Sequence, residues 1–437
     1  MAFTFPGGLH IEEHKDTKDR PIETLTPPKK VIIPLCQHLG APVEPLVNVG
    51  DEVKKGQRIG DSERYVSAPV HASISGKVTA IEPHLVCSGA QVMSVVIESD
   101  GKDEAHENVK PFPPLDTLSK RDIRNIVRGA GIVGLGGAAF PTRIKLDPPH
   151  DKEVDHIILN GSECEPYITC DHRIMLEQSS EILFGLKAIM KPTDAKSAII
   201  AIENNKPDAI KMFEELTAKE DNVRVAALKT KYPQGGEKQL IKTLTGKEVP
   251  SGGLPLDVNV IVQNVGTAAA ISEAIRTGMP LIKKVITVTG DAVKKPGNYK
   301  ARIGMTIGEV LEQCGGFSKE PRKVILGGPM MGVAQYSLDV PVTKNVNCII
   351  ALSDKYVETY EEQNCVRCAK CVDTCPAYLQ PLRLTEYAKK ERWDDAKRIG
   401  AMDCIECGLC SYVCPSKIEL VHYIKLAKDE IKKAAKK

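Results

Sequence analysis

Aromatic residues are scarce in this chain: they fill 4% of 437 positions, with a single tryptophan. Long apolar runs are missing as well. No stretch reaches the roughly 18–20 apolar residues that a membrane-spanning helix needs, which excludes a spanning segment. Net charge is nearly absent, with 59 Lys+Arg against 57 Asp+Glu. A basic face that neutralises phosphates is therefore not expected, and nucleic acid is excluded as a partner. The opening MAFTFPGGLHIEEHK has no charged segment followed by an apolar one, so no secretion signal is expected.

Cysteine, by contrast, is abundant, with 14 residues. In a chain without an export signal this points to a reducing compartment and to metal ligation. Eight of them form two runs. Cys365, Cys368, Cys371 and Cys375 read C-x2-C-x2-C-x3-C and precede Pro376. Cys404, Cys407, Cys410 and Cys414 repeat the pattern and precede Pro415. Cysteines three apart on a tight turn can each aim a thiolate at one compact cube, while the fourth is directed elsewhere. This is the signature of [4Fe–4S] binding, and in two-cluster ferredoxins the fourth cysteine ligates the other cluster. The expected sets are Cys365, Cys368, Cys371 and Cys414 for cluster one, and Cys404, Cys407, Cys410 and Cys375 for cluster two. Zinc uses C-x2-C pairs but does not require a third cysteine at that pitch and then Cys-Pro, twice. The other six (Cys36, Cys87, Cys164, Cys170, Cys314, Cys348) are scattered and read mostly as buried small hydrophobes.

The rest of the chain divides by composition. Residues 1–28 read as a polar surface arm, in which His10 and His14 lack a third metal ligand. Short strands with regular turns over 29–100 predict a small β sandwich or barrel. A proline-bearing linker covers 101–116. Strand-then-loop units near Val154–Leu159, Ala198–Glu203, Val223–Leu228 and Val258–Val262, flanked by helical patterns, predict one α/β domain over 117–282. Residues 283–350, with a hairpin and then a helix near Thr306–Cys314, predict a β-grasp domain. Gly327–Gly332 within it reads as a turn packed against the cluster domain or a partner. Residues 351–437 predict a mostly helical two-cluster domain with a lysine-rich tail, read as a solvated face.

A glycine loop opens the α/β region, from Gly129 through Lys145. Gly134, Gly136 and Gly137 would let backbone N–H groups approach an anion, with Lys145 adding charge. Alone, the loop reads equally as a tight packing turn. The strand ends add polar stretches where ligands sit in α/β sheets: Asn160 through Pro166, Tyr232 through Leu240, and Asn264 through Thr267.

Gly134–Thr142 (GLGGAAFPT) resembles the flavin loop of the NADH-binding, FMN-carrying subunit of respiratory complex I. The three polar stretches are similar to that subunit in the same order. Residues 29–100 resemble the biotinyl/lipoyl carrier fold but have Gly60–Arg64 where carriers present their modified lysine, so no swinging arm is expected. Taken together, and with Gly7–Lys15 (GGLHIEEHK), the chain resembles the RnfC family, a component of the Rnf electron-transport complexes.

That resemblance implies a multidomain α+β protein: a biotinyl/lipoyl-like β sandwich, an FMN- and NADH-binding α/β domain, a β-grasp domain and a helical two-cluster ferredoxin domain. It implies FMN held by Gly134, Gly136, Gly137 and Lys145, with Asn160, Ser162, Asn264 and Thr267 contacting the flavin, ribityl or phosphate groups. Gly235, Gly236 and Tyr232 would line the flavin. Phe140 would stack on the nucleotide's adenine side, and Glu165 and Glu237 would position its ribose or nicotinamide. The complex I loop has arginine where this chain has Leu135, and aspartate where it has Ser162. The implied activity is ferredoxin:NAD+ electron transfer, with NAD(H) as substrate. The implied partners are other Rnf subunits, including an iron–sulfur subunit and membrane subunits that move Na+ or H+; ferredoxin would act indirectly. The implied location is peripheral, on the cytoplasmic face of the bacterial membrane. A soluble flavin and iron–sulfur cobalamin reductase shares the modules, and a flavin-free cluster relay is a further alternative.

Overall fold

The structure, a computed structural model, describes residues 3–435. Near the N-terminus, strands Lys30–Pro34, Gln91–Ser99, Gly76–Leu85 and Glu52–Val53 form one antiparallel sheet. Glu44–Pro45, Arg58–Asp61 and Val70–His71 form a second. Alternation turns Val31, Ile33, Ile59, Val78, Val95 and Ile97 into one shared core. Where a carrier domain would present its lysine, Asp61 instead accepts two bonds from the Arg128 guanidinium, at 3.0 and 3.2 Å. Arg128 lies on the helix Lys120–Gly129, so this corner is docked onto the next domain by a fork-shaped ion pair.

The α/β domain holds four parallel strands in the spatial order Val223–Leu228, Ser197–Glu203, His156–Gly161, Val260–Asn264. Both faces are covered, which is why Ser197–Glu203 is buried almost throughout. Ile157, Leu159, Ile200 and Ile202 face helices Ser179–Thr193 and Val265–Thr277, while Ile158 and Ile199 face the helix Glu237–Thr245. The chain steps outward from the first strand to the third, then returns across the sheet to lay the fourth beside the first.

A six-stranded sheet follows, built on the hairpin Lys283–Thr289 and Gly297–Arg302, with strands Lys323–Leu326, Val333–Gln335 and Cys348–Leu352. Its helix Ile307–Gln313 is capped by Thr306, which accepts from the Glu309 N–H. The sixth strand comes from elsewhere: Ile22–Thr24 pairs in parallel with Gly297–Arg302. The N-terminal arm is therefore not the surface arm its polar composition suggests. Phe5, Ile11, Thr17 and Leu25 are buried, because the arm crosses three domains and its apolar residues fill the seams.

The last domain is helical. Helices Pro381–Lys389, Trp393–Arg398 and Leu420–Ala434 meet over Leu384, Ala396, Ile424 and Ala427. The tail helix is not wholly a solvated face: Lys428 is buried and donates to the Cys404 carbonyl at 2.7 Å. No helix among the described residues is long and apolar enough to cross a membrane.

Helices Ser179–Thr193 and Val265–Thr277 touch at Gly185, where an added methyl would sit 1.9 Å from the Ala268 carbonyl oxygen. Gly185→Ala should destabilise the α/β domain by about 1–3 kcal/mol, read as a lower urea midpoint; an unchanged midpoint would show that the helix pair gives way freely.

Candidate functional site

The first and fourth strands end side by side, and Asn160 is the register partner of Asn264. In an open α/β sheet the C-terminal ends of the strands beside such a reversal of strand order are where ligands bind. Asn160 donates to the Gly235 carbonyl at 2.9 Å and accepts from the Ser162 N–H at 3.1 Å. One side chain thus ties the loop after the first strand to the turn before the helix Glu237–Thr245. Asn264 caps the helix Val265–Thr277 by accepting from the Gly266 N–H at 2.8 Å, and its amide donates to Asp171 at 2.6 Å. The free N–H groups of that helix start suit an anion.

The glycine loop lies over these ends. A Cβ on Gly136 would touch Asn264 at 3.4 Å, whereas Gly136 and Gly137 themselves are exposed. Gly137 has φ +133° and open space around it, a conformation that favours glycine. Thr267 is fully buried, and its hydroxyl accepts from the Leu135 N–H at 2.9 Å. It therefore holds the loop from beneath. Gly134 donates to the Phe140 carbonyl at 2.9 Å, leaving Phe140 half-buried at the loop's far side. Lys145 donates to the Val262 carbonyl at 3.0 Å and to Glu237 at 2.9 Å, so the expected anion-binding lysine is paired with one of the expected nucleotide-positioning carboxylates.

A flavin fits this cradle on two observations. The Ser162 hydroxyl is buried without a hydrogen-bond partner, and a buried polar atom of that kind calls for one. Gly235 faces Ser162, Cys164 and Asn160, where a Cβ would come within 3.4 Å of both Ser162 and Cys164. Without a side chain, Gly235 keeps that wall flat.

The acidic loop is held from behind. Glu163 accepts from the Asp171 N–H at 2.6 Å and the His172 N–H at 3.3 Å, at the start of the helix Cys170–Glu177; burial pushes its carboxyl up to about 7. Glu165 accepts from the Met330 and Met331 N–H groups at 3.1 and 2.9 Å. The turn Gly327–Gly332 thereby packs on this loop, and on its other side the Met330 carbonyl lies 2.8 Å from where a Cβ on Gly408 would be. Tyr232 is buried and donates to the Cys407 carbonyl at 2.8 Å. It is a bridge to the cluster domain rather than a wall of the cradle. Sequence reasoning gives no such role to four lysines whose ammoniums hold these loops by their carbonyls, with Lys206, Lys284 and Lys344 buried and Lys15 partly buried. Lys206 reaches Ser162, Lys284 reaches Leu135, Lys344 reaches Gly131 and Pro69, and Lys15 reaches Glu163, Glu165 and Ile168. A lysine code letter carries no mark of burial. Only Lys15, inside a recognised motif, stands out.

The cysteines converge on two cavities. One is lined by Cys365, Cys368, Cys371 and Cys414, and the other by Cys404, Cys407, Cys410 and Cys375. The fourth cysteine of each run lies with the other run's three. Burial pushes the Cys407 thiol up to about 11 and Cys410 up to about 12. Buried thiols of this kind ionise when a cationic metal centre compensates them; four thiols converging on each cavity give each donor set the ligands an iron–sulfur cluster needs. The second set is enclosed, while Cys365 and Cys368 are exposed.

Four family models match in series: the RnfC barrel sandwich hybrid domain over 3–102, the Nuo51 FMN-binding domain over 127–273, the SLBB domain over 285–334 and a 4Fe-4S dicluster domain over 364–418. Fold and site thus define a flavin- and iron–sulfur-binding electron-transfer protein. It is 49% identical over 429 residues to the RnfC component of the Na(+)-translocating ferredoxin:NAD(+) oxidoreductase complex of Acetobacterium woodii, spanning 98% of this chain and 97% of that one. The chain belongs to the RnfC family of the ion-translocating oxidoreductase (Rnf) complexes. The corresponding component of the proton-translocating complex of Clostridium ljungdahlii is 47% identical, over 91% of this chain and 87% of that one. The Citrobacter koseri relative is 41% identical over 90% of this chain, which spans 56% of that longer protein. Among solved structures, the NAD+-reducing [NiFe]-hydrogenase in the air-oxidized state shares the fold. Its TM-score is 0.50 at 17% identity, over 74% of this chain and 70% of that one. The H2-reduced form gives 0.49, with this chain spanning 61% of it.

Burial pushes the Glu165 carboxyl from near 4.5 up to about 7. The unfolded chain gives up this proton first, so stability falls as pH rises between those values. From pH 5 to 7.5, wild type should lose on the order of 2–3 kcal/mol relative to E165Q, measured by urea unfolding. A constant difference would mean that the carboxylate is well solvated.

Proposed function

We propose that this chain is the peripheral subunit that passes electrons between NAD(H) and the other subunits of a ferredoxin:NAD+ oxidoreductase complex. The observation that supports it best is the contact between the flavin cradle and the second cysteine set, through Tyr232 and the Cys407 carbonyl. A cradle for a two-electron cofactor lies against one cysteine cavity, and a more exposed cavity follows. FMN, when bound, supplies hydride exchange with the nicotinamide and single-electron exchange with the clusters.

In this reading Gly134, Gly136 and Gly137 give the cofactor a side-chain-free floor. The helix start at Asn264, with Lys145, takes its phosphate end. Thr267 acts one step back, through the glycine loop. Asn160 and Ser162 contact the ribityl and ring groups, and Gly235 and Gly236, with Gly235 packed directly against them, line the flavin beside them; Tyr232 fixes this turn from behind. Phe140 stacks on the adenine side of the nucleotide. Glu237, released in part from Lys145, orients the nicotinamide end. Glu165 reaches it when the Met330–Met331 turn yields. No side chain is needed to move a proton at the reacting carbon; position is the chain's contribution. Cys365, Cys368, Cys371 and Cys414 hold one cluster, and Cys404, Cys407, Cys410 and Cys375 the other. Partner subunits, an iron–sulfur subunit among them, exchange electrons at the exposed set, and membrane subunits move Na+ or H+. The chain sits on the cytoplasmic face of the membrane, with ferredoxin reaching it indirectly.

Anaerobically purified chain should carry about eight irons and one FMN, and NADH should bleach both. Full iron with no flavin, even after FMN is supplied, would move the nucleotide site to another protein. Glu237→Ala should slow NADH bleaching at least tenfold with iron retained; an unchanged rate removes Glu237 from the site.

Ligand exchange between the runs has its own signature. Cys375→Ser should reduce iron from about eight to about four and abolish the cluster signal of the Cys404–Cys410 run. Loss of the first run's signal instead would reverse the pairing.

A further inference from the structure

The segment Gly7–Thr17 runs through the seam between the flavin cradle and the second cysteine cavity. Gly8 donates to the Thr374 carbonyl at 2.9 Å, and a Cβ on Gly7 would meet the Cys375 carbonyl oxygen at 3.0 Å. Leu9 and Tyr232 exchange both backbone bonds, at 2.9 and 2.8 Å. Ile11 packs in one cluster with Tyr232, Cys407 and Leu409. Glu13 receives the Asn205 amide at 2.7 Å and, on its carbonyl, the Tyr167 N–H at 2.9 Å. The His14 ring stacks on Tyr167 with centroids 4.7 Å apart. Thr17 shares a 2.6 Å bond with Thr169, and its carbonyl accepts from Asn298 of the β-grasp sheet at 2.9 Å. Eleven residues thus touch the α/β, cluster and β-grasp domains in turn.

Lys15 is the fixed point of this path. Its ammonium donates to the carbonyls of Glu163, Glu165 and Ile168 at 2.8, 2.8 and 2.6 Å. All three donors are used, and all three acceptors lie on one loop. That loop carries Cys164, which faces Gly235, and Glu165, which holds the turn resting on Gly408. We propose that Gly7–Thr17 is an internal strap that sets the spacing of the flavin cradle and the second cluster, and that Lys15 is its positioning residue. This rests on the functional reading above, in which the cradle takes FMN and the cavity takes a cluster. A strap adds continuous backbone to a seam otherwise held by a few separate contacts: Tyr232 to Cys407, Gln239 to the Pro376 carbonyl, Ser251 to Asp403, and the Met330 turn between Glu165 and Gly408. Electron passage depends on a fixed separation, which loose docking would not supply. One NADH gives NAD+, one proton and two electrons, and each cluster takes one electron.

The test compares full-length wild type, K15M, K15R and G8A under anaerobic conditions. G8A removes no charge: Gly8 has φ +71°, and its added methyl would lie 2.7 Å from the Tyr232 carbonyl oxygen, prising the strap from that loop. Each protein is assayed for iron and flavin, for amide exchange over residues 163–168, and in a single mixing with NADH that follows flavin and cluster bleaching separately. The expected result for K15M is full cofactor content, at least tenfold faster exchange over 163–168, and flavin bleaching slowed far less than cluster bleaching. Cluster bleaching should be at least tenfold slower, with partial recovery in K15R. If K15M loses a cofactor, G8A decides on the same slowing of cluster bleaching alone. Variants that keep both cofactors and bleach like wild type would overturn the strap, as would flavin and cluster rates falling together. A wild-type chain that binds no FMN would overturn the functional reading and the strap with it.

Discussion

Buried ammonium groups donating to loop carbonyls are the constraint on which this site depends. Backbone that curls tightly around a cofactor cannot pair its carbonyls in a sheet or helix, and buried carbonyls without donors are costly. Lys15, Lys206, Lys284 and Lys344 supply those donors, each to a different part of the cradle. Their own burial is unfavourable, and it holds the Lys344 ammonium down to about 7 and Lys284 to about 8. Two or three hydrogen bonds apiece offset that cost. The same bonds pin loops that glycine makes floppy, so rigidity and polar satisfaction come from the same atoms.

The modules are arranged so that what is enclosed belongs to the interior of the path. The second cysteine set is walled by the arm, by Tyr232 and by the Met330 turn, and Lys428 closes it from the tail helix. The first set opens to solvent at Cys365 and Cys368. The β-grasp sheet serves as a wedge: its turn meets both Glu165 and Gly408. The barrel domain grips the helix before the glycine loop through Asp61 and Arg128. The corner that carrier domains keep mobile is here locked by an ion pair.

Much of this is legible in the sequence. The parallel strands are visible because strands buried on both faces are apolar runs, as in Ser197–Glu203. A helix over Thr117–Arg128 is legible in Leu118, Ile123, Ile126 and Val127 at helical spacing, and the structure starts it at Lys120 behind a Ser119–Asp122 capping box. Metal-ligand spacing is local, so the cysteine runs read directly. Less legible are Thr267 and Tyr232. Both fall in the right motifs, but one supports the glycine loop from below and the other faces the cluster domain. A motif fixes which residues gather, and not which of their atoms face the ligand. The arm is misread from composition because its residues are mostly polar, and polarity suggests solvent unless buried partners are known.

The sequence by itself determined the modules, their order and the chemistry of their donors, because those follow from periodicities and spacings within tens of residues. Tertiary structure alone decided which modules touch and what holds them. Lys15 meets its carbonyls about 150 residues away, and Asn160 meets Asn264 only because the fourth strand returns beside the first. Such contacts leave no trace in local pattern, since each partner satisfies its own surroundings without reference to the other until the chain is packed.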